Sequence, residues 1–240
     1  MRQDQIDQTA PIARQLTRFL RERIIRNDLH PDQKISESEI AQQYDVSRQP
    51  VREAFIRLAS EGLVSVLPQR GTRVSRIDVV AVREARFLRE AVESDIVRLL
   101  AEAPGRADLA ELDAHIDRQR AVAAGDPLEF IRADEAFHRT LAEMGGKAGI
   151  WRKVQGLKAQ MDRVRVLSLS QFPVNKLIDQ HAAIVAGIAA GDPARAEAAT
   201  RHHLREVLSD LPQIVTANPA FFDDAPDGDE DRTVIIGGGE

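Results

Sequence analysis

The sequence predicts a mostly α protein in two unlike parts, and three observations carry that prediction. A helix with two outward arginines runs between a capping serine and a glycine within residues 46–64, and two short β-branched runs follow it. From Asp78 onward, apolar residues recur at helical spacing almost without interruption. At the start of the chain Ile12, Leu16, Phe19, Leu20 and Ile24 mark an amphipathic first helix, closed by the proline-bearing segment 27–32. Ser36 and Glu39 fit the S-x-x-E capping box of a short second helix, which carries Ile40, Ala41 and Tyr44 on its apolar side. After Tyr44-Asp45-Val46 the third helix starts at about Arg48. Ser47 is expected to cap it by accepting a backbone N–H, and Pro50 falls where a missing N–H costs no hydrogen bond. Val51, Ala54, Phe55 and Leu58 form its buried face, Arg48 and Arg52 lie one turn apart on another, and Gly62 allows the left-handed turn that ends it. Residues 63–67 and 72–75 read as strands joined by Pro68-Gln69-Arg70-Gly71. Residues 1–77 thus predict an N-terminal winged helix-turn-helix with Arg70 and Gly71 at the wing tip.

Beyond residue 78, breakers at Pro104-Gly105, Gly125-Asp126-Pro127, Gly145-Gly146, Phe172-Pro173 and Gly191-Asp192-Pro193 delimit six helices. They are expected at about 78–103, 106–124, 127–143, 147–171, 174–190 and 193–211. Alanine-rich faces such as Ile178, Ala182, Val185 and Ile188 suit close antiparallel packing, so residues 78–212 predict an all-α antiparallel helical bundle. Residues 213–240 hold seven Asp+Glu and one Arg without amphipathic period, and are expected to form a disordered acidic tail.

Charge is divided between the two parts. The chain carries 33 Lys+Arg against 38 Asp+Glu, which alone argues against a nucleic-acid partner. Residues 1–77 nevertheless hold 13 basic and 10 acidic side chains, leaving the acidic excess to the remainder. A head of +3 neutralises few phosphates, so dimerisation is needed to double its contacts. The absence of cysteine excludes disulfides and thiolate metal ligands. The polar N-terminus lacks a signal core and no apolar run is long enough to span a bilayer, so a cytoplasmic protein with no membrane partner is expected. Few aromatic residues and no repeat speak against single-strand binders and solenoids.

Residues 11–77, including LRERIIRNDLHPDQKISESEIAQQYDVSRQPVREAFIRLASEGLVSVLPQRGTRV, resemble the DNA-binding domain of the GntR family of bacterial transcription regulators. The resemblance implies that Ser47, Arg48, Gln49 and Arg52 contact operator DNA and that Arg70 and Gly71 enter the minor groove. The bland alternative for the arginine pair is a solvated face paired with Glu53 or Asp45. Two positions depart from the family pattern: the usual proline-glycine is Pro31-Asp32, and a commonly basic position is Ser38.

In the bundle, Asp134 and His138 are four residues apart on one expected helix and share a face. Such a pair alone is more often a salt bridge than a metal site, and sequence does not prove that His181 and His203 converge on it. FIRADEAFHRTLAEMGG, DQHAAIVAGIAAGD and ATRHHL resemble the ligand-binding FCD domain of the FadR subgroup over about residues 83–211. That resemblance implies that Asp134, His138, His181 and His203 hold a divalent metal, with His202 the adjacent competitor. Three imidazoles and a carboxylate suit Zn²⁺, with Ni²⁺ and Mn²⁺ as alternatives. Open coordination positions would take an anionic effector, and Arg89, Arg163 and Arg165 are candidate carboxylate clamps. Arg89 is equally explained by a helix pair with Glu93.

The resemblance implies a repressor, acting as a homodimer on a palindromic double-stranded operator, that is released by a small carboxylate such as a sugar acid, a hydroxy acid or a short dicarboxylate. Two alternatives are a metal-independent acyl-thioester sensor and a metal-dependent hydrolase. Hydrolysis calls for a base beside metal-bound water; Glu135 points away from Asp134 on the helix, so no enzyme is expected.

Overall fold

In the computed structural model, residues 5–67, 71–103, 105–169 and 171–223 are described. Three helices, α1 (Ile12–Ile25), α2 (Glu37–Gln43) and α3 (Arg48–Ser60), close around Leu16, Leu20, Ile24, Phe55 and Leu58. Their apolar faces are the ones set by helical spacing. Strands β1 (Lys34–Ile35), β2 (Val64–Leu67) and β3 (Gly71–Val74) form an antiparallel sheet in the order β1-β3-β2. With two residues, β1 is too short for an alternating pattern to reveal it. Pro68, Gln69 and Arg70 of the wing turn lie outside the described residues. Gly71 opens β3 with φ +86°, a conformation that favours glycine.

Two details of this head differ from, or sharpen, what spacing suggests. Ser47 occupies the N-cap of α3, but its side chain makes no capping hydrogen bond. A capping serine accepts from the second or third helical N–H, and Pro50, the third residue of α3, has none to give. The Ser36 hydroxyl does accept from the Glu39 N–H, at 3.1 Å. Asp32 adopts the left-handed conformation that favours glycine, with φ 62°. Its carboxylate takes a hydrogen bond from Arg76 at 2.8 Å, tying this turn to the residues after the wing.

The bundle comprises α4 (Val79–Glu102), α5 (Leu109–Val122), α6 (Pro127–Met144), α7 (Ala148–Leu157), α8 (Ala159–Leu169), α9 (Asn175–Ala189) and α10 (Pro193–Ala217). Asp78, Asp108, Asp126 and Asp192 cap α4, α5, α6 and α10 through side-chain acceptors. At Gly187 a Cβ would lie 2.7 Å from the Ala196 backbone, so this glycine permits the close crossing of α9 and α10.

The single helix expected over 147–171 is two. It breaks at Lys158, whose buried ammonium pairs with Asp162 at 2.7 Å and with Glu135 at 3.5 Å. After the break Ala159 enters the core of the winged head, while Met161 and Val164 join a junction cluster with Ile77, Leu211 and Phe222. The bundle also does not end at residue 212. α10 continues through Pro212 to Ala217, and the Ile77 N–H donates to the Phe221 carbonyl at 2.7 Å. The expected disordered tail is therefore ordered over residues 213–223: burial of Ile214 and Phe222 outweighs the hydrogen bond that Pro212 removes. The rest of that tail lies outside the described residues. Among the described residues no helix is long and apolar enough to cross a membrane.

Candidate metal centre and nucleic-acid interface

On the head, Arg48, Gln49 and Arg52 are all exposed, as is Ser47. Their apolar neighbours Val51, Ala54 and Phe55 are buried, and this fixes the outward face of α3. Both arginines meet one carboxylate. Arg52 donates two hydrogen bonds to Glu37, at 2.9 and 3.0 Å, and Arg48 donates one at 3.2 Å. Arg52 lowers the Glu37 carboxyl below its ordinary range. The partner is thus neither Glu53 nor Asp45: Glu53 takes a hydrogen bond from Gln49 instead. Glu37 was invisible as a partner because it reaches α3 from the first turn of a different helix. With side chains 63 % and 55 % exposed, Arg48 and Arg52 remain accessible to a second anion.

In the bundle, Asp134 and His138 on α6 meet His181 on α9 and His203 on α10. All four are buried, and one ligand atom from each lies within 4.8 Å of the others. Nε2 of His203 stands 3.2 Å from Nε2 of His138 and 3.0 Å from Nε2 of His181. Asp134 Oδ1 is 3.5 Å from His181 Nε2. His202 is exposed and turned away, as expected of a neighbour a quarter-turn off.

The opposite ring nitrogens explain why three Nε2 atoms face one another. His138 Nδ1 lies 2.7 Å from a Glu93 oxygen, which can only accept. His203 Nδ1 lies 3.1 Å from the Gln180 carbonyl, and the Gln180 amide group donates to Glu206 at 3.0 Å, which fixes its orientation. His181 Nδ1 lies 2.7 Å from the Gln119 carbonyl. Nδ1 of His138 and of His203 therefore donates outward, and the Nε2 atom of each is the one turned to the cluster. Burial pushes the His181 imidazole down to about 3 and that of His203 well below its ordinary value. Nε2 atoms 3.0 and 3.2 Å apart are held together either by a shared proton or by a cation between them.

The donor set fits such a cation. Atoms bound about 2.1 Å from one ion stand roughly 3 to 4 Å apart, and the contacts of 3.0, 3.2 and 3.5 Å fall in that range. Asp134 adds the negative charge. Burial alone would raise its pKa, but the Arg165 guanidinium holds it well below the usual carboxylate range. Its Oδ1 is 2.6 Å from an Arg165 nitrogen yet makes no hydrogen bond of good geometry, which leaves a buried acceptor atom aimed at the cluster. Glu93, Gln119 and Gln180 were not recognisable from sequence, because α4, α5 and α9 bring them to the histidines from three directions.

The candidate clamps separate. Arg89 and Arg165 are buried and line a cavity of about 240 Å³ beside His203. Arg89 also pairs with Glu93, with its Nε at 2.6 Å, so the helix-pair reading and the cavity placement both hold. Arg163 does not belong to this site. Two residues from Arg165 on α8, it faces the opposite side, where it donates to the Ser75 carbonyl at 2.8 Å. Burial brings this guanidinium down to about 10.

A winged helix-turn-helix head with two exposed arginines, joined to a helical bundle with a buried cluster of three histidines and an aspartate, defines a DNA-binding regulator. Residues 12–74 match the bacterial regulatory proteins of the gntR family, and residues 84–206 match the FCD domain. The chain is 34 % identical over 220 residues to the HTH-type transcriptional repressor RspR of Escherichia coli K12, covering 91 % of this chain and 96 % of that one. It is 31 % identical over 198 residues to a probable D-xylose utilization operon transcriptional repressor of Paenarthrobacter nicotinovorans, covering 82 % and 87 %. Among solved structures, E. coli McbR/YncC superimposes with a TM-score of 0.69 at 19 % identity, over 84 % of this chain and 97 % of that one. The chain belongs to the GntR family of bacterial regulatory proteins, in the FadR-type branch that carries an FCD domain. Its relatives are named as transcriptional regulators, and the family is not enzymatic.

Proposed function

We propose that the protein is a cytoplasmic transcriptional repressor that grips a palindromic operator as a homodimer and releases it when a small carboxylate binds at a divalent metal. Residues 1–77 act as the reader and the bundle from residue 78 as the sensor. The observation that carries this reading is the convergence of three Nε2 atoms and the Asp134 carboxylate beside a cavity lined by two arginines. Asp134, His138, His181 and His203 would hold Zn²⁺, with Ni²⁺ or Mn²⁺ as substitutes. The ion would supply a Lewis-acidic contact for a carboxylate, a group that both sugar acids and hydroxy acids carry.

Charge favours an anion there. Arg89 and Arg165 are balanced by Glu93 and Asp134, so a divalent ion leaves the buried cluster with an uncompensated positive charge. At the head, Ser47, Arg48, Gln49 and Arg52 address the major groove, while Arg70 and Gly71 address the minor groove. Glu37 holds the two recognition arginines in register and yields them to phosphate or guanine.

Helix α8 supplies the link between sensor and reader. One face carries Arg165 at Asp134, and the other carries Gln160 on the Gly62 carbonyl at 2.7 Å and Arg163 on the Ser75 carbonyl. An effector that displaces Arg165 from Asp134 would rotate α8 against both ends of the wing, and reciprocity requires operator DNA to weaken effector binding equally. Fluorescence anisotropy on the DNA upstream of the gene, with chelator-stripped and Zn-reloaded protein, tests the proposal. Salt-sensitive binding that only reloaded protein surrenders to a carboxylate supports it; no binding under any condition contradicts it.

A further inference from the structure

The cavity beside His203 is polar at its two ends and largely apolar between them. Arg89, Arg165 and His203 form its buried inner end, while the exposed Lys176 and the half-buried Asp210 stand at its mouth. Between them the wall is mostly apolar, with Leu169, Phe172, Leu177, Leu204 and Val207 beside the one hydroxyl of Ser168. Lys176 is ion-paired with Glu206, whose other oxygen accepts from Gln180, so the cation at the mouth is already engaged by a carboxylate. A polyhydroxylated chain entering from the inner end would put its hydroxyls against this apolar wall, and each one buried without a partner opposes binding. A second carboxylate at the mouth would meet Glu206 and Asp210. A methylene chain meets neither objection.

We propose that the effector is a monocarboxylate with an apolar tail, of about six carbons in all, rather than a sugar acid or a dicarboxylate. A cavity of about 240 Å³ is smaller than those that enclose drug-sized ligands, and a chain of about eight to ten non-hydrogen atoms fills it. The carboxylate lies at the inner end between Arg89 and Arg165, and the tail runs along Leu204 and Val207 of α10 towards Phe172. This deepens the carboxylate-sensing reading above and rests on it.

Calorimetry on the full Zn-loaded chain with acetate, butyrate and hexanoate, and with gluconate and adipate as six-carbon controls, tests it. Affinity is expected to rise about fourfold per added methylene along the first three acids, as burial of each CH₂ dictates. Gluconate and adipate are expected to bind no better than acetate. Phe172→Ala should lower hexanoate affinity about tenfold more than acetate affinity; Leu177→Ala, on the facing wall, gives the same readout should the first variant fold poorly. A flat acid series, or gluconate or adipate equal to hexanoate, overturns the proposal and leaves carboxylate sensing standing. Failure of every acid, acetate included, overturns both.

Discussion

The winged head and the bundle handle charge in opposite ways. In the head, Arg48 and Arg52 share Glu37 at an exposed surface, where solvent weakens each pair and another anion can replace the carboxylate with little loss. In the bundle, Arg89, Glu93, Asp134, Arg165 and the three histidines are buried, and removal of one partner leaves another without compensation. The head is thus suited to rapid exchange with a long polyanion. The chamber suits selective capture of one small anion whose arrival rearranges its neighbours. The contrast also predicts how damage is distributed: a head variant loses DNA and keeps its fold, whereas a chamber variant loses its ligand and part of its stability.

Removal of the chelating set gives the largest expected effect. His181→Ala should reduce bound metal from about one equivalent to nearly none, and should abolish carboxylate-dependent release of DNA while DNA binding persists. Metal analysis and anisotropy on the same preparation check both; full metal content in that variant would remove His181 from the site. Next, Arg52→Ala should weaken specific operator binding by about a hundredfold with unchanged metal content and melting temperature, since one bidentate base contact discriminates on that scale. Wild-type affinity would move the reading face elsewhere.

Arg163→Met is expected to act on coupling alone. Metal and DNA binding should persist, while the ratio of operator affinities with and without hexanoate falls towards one, from the five- to 150-fold range of typical allosteric coupling, roughly. An unchanged ratio would exclude α8 as the link. The smallest effect concerns acid stability. Arg205, with Arg201 and Arg86, holds the Glu90 carboxyl at about 2 against the pull of burial. A carboxyl lowered on folding contributes stability that is complete above its unfolded value and lost as pH falls through the folded one. Thermal melting of Glu90→Gln should therefore fall below wild type at neutral pH, and the gap should close between about pH 4.5 and about pH 2. A gap independent of pH would assign Glu90 a packing role.

What could be read from sequence differs between the two regions for the same physical reason that their charges differ. The head is built from local signals: Ser36 with Glu39, Pro50 and Gly62 each act within a turn of where they stand. The chamber is built from distant ones. Asp134 and His138 were legible as a pair on one face, but the Nδ1 partners Glu93, Gln119 and Gln180 come from other helices and carry no spacing signature. Arg163 and Arg165 looked alike in sequence and part company only because residues two apart on a helix face opposite sides. A compositional signal also yields to tertiary burial: composition predicts disorder from residue 213, and α10 passes through Pro212 to bury Ile214.

X-ray absorption at the zinc edge on purified, Zn-loaded protein tests the central claim most directly. A single site per chain, with three imidazole nitrogens and carboxylate oxygen in its shell and an added light-atom ligand on exposure to hexanoate, is the predicted result. A spectrum without imidazole scattering, or one that hexanoate leaves unchanged, would contradict it.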